Sequence, residues 1–214
     1  MVRQKRVLSA TLVILIICVL FFFIILPFMS SRPSIMNYIA LSPAYILQGK
    51  FLWTFITSMF MHASPTHLIV NMLSLVFLGS FLERILGRRR FFWFYMISGI
   101  FASLFFIASA FIFKQDMNAL AVGASGALFG IGGLLAVLTP KLPVYIMFIP
   151  IAMPMWFGIA LSLGVMWLFS VFGANIGNTA HLGGLIAGLI YGFYLRSKYP
   201  RKIFLLNRFL GLKG

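Results

Sequence analysis

The chain has 214 residues, of which 62% are hydrophobic and only 9% charged. A water-soluble domain carries about 25% charged residues, so the composition excludes a soluble enzyme or binding module and predicts a polytopic membrane protein. The net charge of +15 would suit a nucleic-acid binder, but the basic residues lie between apolar runs, the distribution of membrane topology. No nucleic-acid partner is expected.

A hydrocarbon core of about 30 Å takes about 20 helical residues. The first apolar stretch, 7–28, follows Arg3, Lys5 and Arg6. It is longer than the roughly 7–15 residues of a signal-peptide core and lacks a small-x-small cleavage site, so it reads as a span. Residues 29–66 form a long loop with aromatics at Tyr38, Tyr45, Phe51, Trp53 and Phe55, apolar enough to lie partly in the interface. Further spans follow at 67–86, 91–113 and 122–138. Pro140, Pro143, Pro150 and Pro154 then rule out a straight helix across 140–154. The last two spans are 154–172 and 180–195, and 203–212 reads as a short amphipathic surface segment. The single cysteine, Cys18, lies inside the first span and offers no disulfide. The expectation is an all-α bundle of six transmembrane helices, one membrane domain over residues 1–214.

Alternating spans put 14 of the 17 basic residues on one side, leaving Arg32, Lys50 and Lys114 on the other. That asymmetry predicts both termini in the cytoplasm, with residence in the plasma membrane if the cell is prokaryotic.

Polar groups inside a membrane are costly and read as functional by default. In this topology the second, fourth and sixth spans enter from the outer side. His67 begins the second, Ser125 stands in the first turn or so of the fourth, and His181 begins the sixth. Asn71 lies one turn below His67 on the same face. Ser125 sits in a Gly123-Ala124-Ser125-Gly126 turn. Gly126 and Gly130 repeat at four residues, as do Gly184, Gly188 and Gly192, and such ridges let helix backbones approach closely. A contact between the fourth and sixth spans would bring the Ser125 hydroxyl to His181.

Each feature also has a plain reading. A serine among glycines is ordinary helix packing, the glycine ridges specify only contact, and Asn71 makes an ordinary interhelical hydrogen bond. What favours chemistry is their shared depth. The chain's only acids are Glu83 and Asp116, neither placed to orient His181, so hydrolysis would rest on a Ser–His dyad with His181 as base. The Ser125 amide, Asn71 and His67 are then the available oxyanion donors. A zinc centre on His62, His67 and His181 is the rival. It lacks the H-E-x-x-H spacing and a carboxylate base, and neither metal nor cofactor is expected.

These residues together resemble the rhomboid family of intramembrane serine proteases, over roughly 53–194. His62-x4-His67-x3-Asn71 is similar to that family's H-x4-H-x3-N, and Glu83-Arg84 with Gly87 to its E-x-x-x-G. Gly123-Ala124-Ser125-Gly126 matches G-x-S-G, and Ala180-His181-x2-Gly184-x3-Gly188 matches A-H-x-x-G-x-x-x-G. The resemblance implies Ser125 as nucleophile, His181 as base, and His67, Asn71 and the Ser125 amide as the oxyanion site. It further implies that Gly123 shapes the turn, His62 helps hold the first loop, and the fifth span with its following loop gates lateral entry. Implied substrates are single-pass transmembrane proteins, cut near the outer end of a helix that unwinds. Two departures stand out: Trp53-Thr54 replaces a Trp-Arg pair, and Phe129 replaces the tyrosine that stacks on the base. The competing expectation is a non-catalytic adaptor or chaperone that binds transmembrane helices. A transporter is disfavoured, because the two halves show no matching broken spans.

Overall fold

The structure, a computed structural model, describes residues 8–146, 149–172 and 177–212. Val7, the basic residues Arg3, Lys5, Arg6 and Lys213, and part of each connection flanking the fifth span lie outside the described residues. Helix α1 (Ala10–Ser31) is capped by Ser9, whose Oγ accepts the Leu12 N–H at 3.1 Å. It runs past the expected end at 28 to Ser31. Its buried stripe, Ala10, Ile14, Cys18, Phe22 and Ile25, faces the bundle, while Leu20, Phe23 and Ile24 point outward. Both faces are apolar because lipid, unlike water, gives no reason to make the outer one polar.

The long loop is ordered by a 3₁₀ turn, Pro33–Tyr38, and by short helices α2 (Pro43–Leu47) and α3 (Thr54–Thr57). The second span is Pro65–Leu86, built from α4 (Pro65–Ser74), a π turn at Leu75–Gly79, and α5 (Ser80–Leu86). Gly87, at φ 80°, ends it, a conformation that glycine adopts without strain. Next come α6 (Arg88–Phe113) and α7 (Ser125–Leu138). The proline-rich connection folds into a two-residue antiparallel ladder, β1 (Pro143–Val144) with β2 (Met153–Pro154). Helix α8 (Met155–Val171), α9 (Asn178–Lys198) and α10 (Pro200–Phe209) complete the chain.

Three of these stretches, α1, Pro65–Leu86 and α6, are long and apolar enough to cross a bilayer, and α7 and α8 are shorter apolar helices. The fold is a helical membrane bundle, as the composition predicts. The tail helix starts at Pro200 instead of near 203, because proline is favoured in the first helical turn. Asn207 Nδ2 on α10 donates to the Leu138 carbonyl at 2.7 Å, tying the tail to the end of α7.

Packing in the bundle centre depends on the absence of side chains. A Cβ at Gly184 would strike the Gly126 carbonyl, and one at Gly188 would strike the Gly130 carbonyl. The backbones of α7 and α9 therefore touch, running in parallel. Helix α6 packs antiparallel beside them, with Ala102 against Gly126 and Ser98 against Gly130. The Glu83 carboxylate stands at the opposite end from Ser125. It accepts the Ala10 and Thr11 amides at 2.7 and 2.8 Å and the Thr11 hydroxyl at 2.6 Å. An anion on the free amides of a helix start satisfies groups that have no intrahelical partner, so Glu83 anchors α1.

Candidate active site

Helices α4, α7 and α9 all begin at one end of the bundle, and each delivers a polar side chain there. Ser125 opens α7. At about 1.5 Å per residue, the 14 residues of α7 rise only about 21 Å, short of the roughly 30 Å hydrocarbon core. A helix this short cannot reach both faces of the core by itself. Gly126 and Gly184 then set the spacing that brings Ser125 Oγ to 2.8 Å from His181 Nε2. The contact expected between the fourth and sixth spans is present, and its closest point is beside the serine.

His181 is buried, and Phe129 stacks on its ring with centroids 4.7 Å apart and planes 22° from parallel. Phe129 thus supplies the flat face that fixes the imidazole. The other ring nitrogen, Nδ1, has no hydrogen-bond partner among the described residues. Glu83 is engaged with α1, and Asp116 lies in the loop before α7. The structure pairs Ser125 with His181 and brings no acidic side chain behind the ring.

Ser64 caps α4, its Oγ accepting the His67 amide at 3.1 Å. The His67 ring lies over Gly123: a Cβ there would be 2.9 Å from His67 Nε2 and 3.5 Å from Ser125 Oγ. Gly123 also has φ 127°, which side-chain-bearing residues rarely adopt. Glycine is therefore required twice over, by conformation and by space. A long contact of 3.5 Å from the Ala63 amide to His67 Nδ1 favours the tautomer with hydrogen on Nε2, directed toward Gly123 and Ser125. Asn71 is buried one turn deeper, with Nδ2 donating to the His67 carbonyl at 2.8 Å. The second hydrogen of that amide is left for another acceptor.

His62 is fully buried, and its ring meets the edge of His67 at 5.1 Å. Burial, and secondarily the charge of His67, lowers its pKa from 6.5 to about 4. It packs as a neutral wedge behind His67. Among the described residues no three His, Cys, Asp or Glu side chains converge so as to hold a metal ion.

Sequence patterns give no sign of the contacts that hold the serine turn. Leu41 and Ala121 exchange backbone hydrogen bonds of 3.0 and 2.8 Å, and the Gly123 amide donates to the Ser58 carbonyl at 2.8 Å. The first loop therefore clamps the segment before Ser125. That loop is braced in turn by Trp53 Nε1 on the Tyr38 carbonyl and Thr57 Oγ1 on the Ile39 carbonyl, both 2.8 Å, and by Thr54 Oγ1 on the Phe51 carbonyl at 2.7 Å. These bonds order the loop where the Trp-Arg pair is missing.

A cavity of about 1000 Å³ opens over the dyad, lined by His67, Asn71, Ser125 and His181. Its lining also takes in Phe77 and Phe81 of the second span, Tyr145 of the connection after α7 and Met166 of α8. One end is polar and the side wall apolar. Such a site sets a hydroxyl–imidazole pair at the polar end of a cavity with apolar walls.

Fold and site together define a membrane-embedded helical bundle with a serine–histidine pair in its interior. The Rhomboid domain family model matches residues 49–198, and the chain belongs to the rhomboid family. It is 36% identical over 155 residues to RHOMBOID-like protein 1 of Arabidopsis thaliana, covering 72% of this chain and 37% of that one. Rhomboid protein 1, mitochondrial, of Saccharomyces cerevisiae is 34% identical over 143 residues, 65% of this chain and 41% of its own length. Rhomboid protease GluP of Bacillus subtilis is 33% identical over 150 residues, 67% of this chain and 26% of its own. The chain thus spans well under two thirds of each of these relatives.

Proposed function

We propose that this protein is an intramembrane serine endopeptidase that cuts single-pass transmembrane substrates near the outer leaflet. The observation that carries the reading is the 2.8 Å approach of Ser125 Oγ to His181 Nε2 in a cavity lined by both residues. His181 Nε2 accepts the hydroxyl proton as Ser125 Oγ attacks the scissile carbonyl, forming a tetrahedral oxyanion. The Ser125 amide, the free N–H of Asn71 and His67 Nε2–H are the donors for that charge, worth most where water is scarce. The imidazolium, held flat on Phe129, returns its proton to the leaving amine. Water from the cavity then repeats the sequence on the acyl-enzyme. With no carboxylate behind His181, the ring is oriented by the Phe129 stack and the Ser125 hydrogen bond.

The apolar flank between the second span and α8 is the proposed entry for a substrate helix. Helix α8 fits a gate: Trp156, Trp167 and Phe169 are among its exposed side chains. The basic residues place both termini in the cytoplasm, so the dyad faces the outer leaflet.

The test compares the wild type with Ser125→Ala in vesicles containing a single-pass substrate, alongside labelling by a fluorophosphonate. Cleavage and labelling should both vanish in the variant while thermal unfolding is unchanged. Persistent cleavage removes Ser125 from the mechanism. Substrate binding by the wild type with neither labelling nor turnover would mark a non-catalytic adaptor that uses the same cavity to hold transmembrane helices.

A further inference from the structure

A second cavity, of about 760 Å³, lies between α6 and α9 at the end remote from the dyad. Arg89 and Arg90 stand at its mouth, and Trp93, Phe101, Ile190 and Tyr194 line it. From Arg89 to Phe101 the helix rises about 18 Å, somewhat more than half of the roughly 30 Å hydrocarbon core. The groove therefore runs the depth of one leaflet. Its apolar walls are open: Trp93 is 55% and Ile190 60% exposed.

The charge at its mouth is unbalanced. Arg88, Arg89 and Arg90 fill the first turn of α6, which contains no acid, on the positive pole of the helix dipole. Lys198 reaches the same region, its ammonium donating to Tyr194 Oη at 2.7 Å and close enough to Arg90 to feel its charge. Like charges stacked on a helix N-terminus repel, and the chain has no acidic side chain to spare for them. Of its two acids, Glu83 is engaged with the start of α1, and Asp116 lines the dyad cavity at the other end. Among the described residues no acidic side chain is left to serve as counter-ion. In a bilayer the abundant anion at that depth, sitting directly above an apolar slot, is a lipid phosphate.

We propose that this groove binds one anionic phospholipid, its headgroup held by Arg89, Arg90 and Lys198 and one acyl chain laid along Trp93 to Phe101. Arginine suits the role because its planar donors grip phosphate oxygens in pairs. The site is independent of the dyad, so its test does not depend on proteolysis.

Mild-detergent native mass spectrometry with phosphatidylglycerol or phosphatidylcholine measures retention. One phosphatidylglycerol should be held saturably, and phosphatidylcholine should not. Arg89→Gln with Arg90→Gln should weaken retention by about thirtyfold, whereas Arg201→Gln with Lys202→Gln on α10 should leave it unchanged. Ala187→Trp keeps every charge but fills the groove, and it should displace the lipid as well. In wild-type protein, phosphatidylglycerol brominated on its acyl chain should quench Trp93 fluorescence, the quenched fraction disappearing in Trp93→Phe. Equal retention or quenching by the phosphatidylcholine counterpart overturns the proposal. So does a lipid that survives Ala187→Trp, or one that the α10 variant removes equally.

Discussion

Gly184→Ala isolates the backbone contact that positions the dyad. The added methyl group would enter the van der Waals shell of the Gly126 carbonyl, a backbone atom that cannot swing aside as a side chain can. Relief requires α7 and α9 to separate locally by about 1 Å, and misplacement of that size costs about 100-fold in rate. The Ser125–His181 hydrogen bond, 2.8 Å in the structure, would stretch past the limit at which a hydroxyl proton is shared. Overpacking itself costs about 1–3 kcal/mol of stability. Gly192→Ala provides the control. It meets the Val137 side chain at 2.8 Å, two turns further from the dyad, where a side chain has some freedom to give. Cleavage of a single-pass substrate in reconstituted vesicles, with thermal unfolding in parallel, separates the two costs. Gly184→Ala should lose about 100-fold in kcat, and Gly192→Ala less than tenfold at a comparable loss of stability. Full activity in Gly184→Ala would refute the claim that helix spacing sets the dyad.

Three further predictions follow from single contacts. Asn71→Ala removes one oxyanion donor and should lower kcat by about 100-fold with little change in KM; a change confined to KM would mean that Asn71 binds substrate instead. Glu83→Gln weakens the cap on Ala10 and Thr11 and should cost about 1.5–3 kcal/mol in thermal stability, with turnover per folded molecule unaltered. An equal loss of turnover would place Glu83 in the catalytic path. For His62, the lowered pKa of about 4 means that between roughly pH 6.5 and 4 the unfolded ring binds a proton and the folded one does not. Stability should therefore fall as pH drops through that window, by of order 3 kcal/mol. Unfolding midpoints of His62→Phe should show a shallower acid slope, and an identical slope would clear His62 of the effect.

Membrane class, the long apolar helices and the polar residues that meet at one end of the bundle were legible in the chain because each rests on local pattern. Apolar runs of bilayer length, the bias of lysine and arginine, and polar residues where a span should be apolar need no knowledge of packing. The glycine ridges at 126/130 and 184/188/192 even indicated which helices meet. Helix ends were less legible. The Ser9 cap and the favourable first-turn position of Pro200 moved the boundaries of α1 and α10 by about three residues, the usual scale for such limits.

Other properties belong to tertiary structure alone. The clamp of Leu41 on Ala121 and of Ser58 on Gly123 joins backbone groups, which leave no mark on side-chain identity. The role of Glu83 depends on α1 arriving beside it, 72 residues earlier in the chain. That Phe129 lies flat on His181 follows from the parallel packing of α7 and α9. Sequence fixes which groups are expensive to bury in lipid; only folding in three dimensions decides which of them share that cost by meeting.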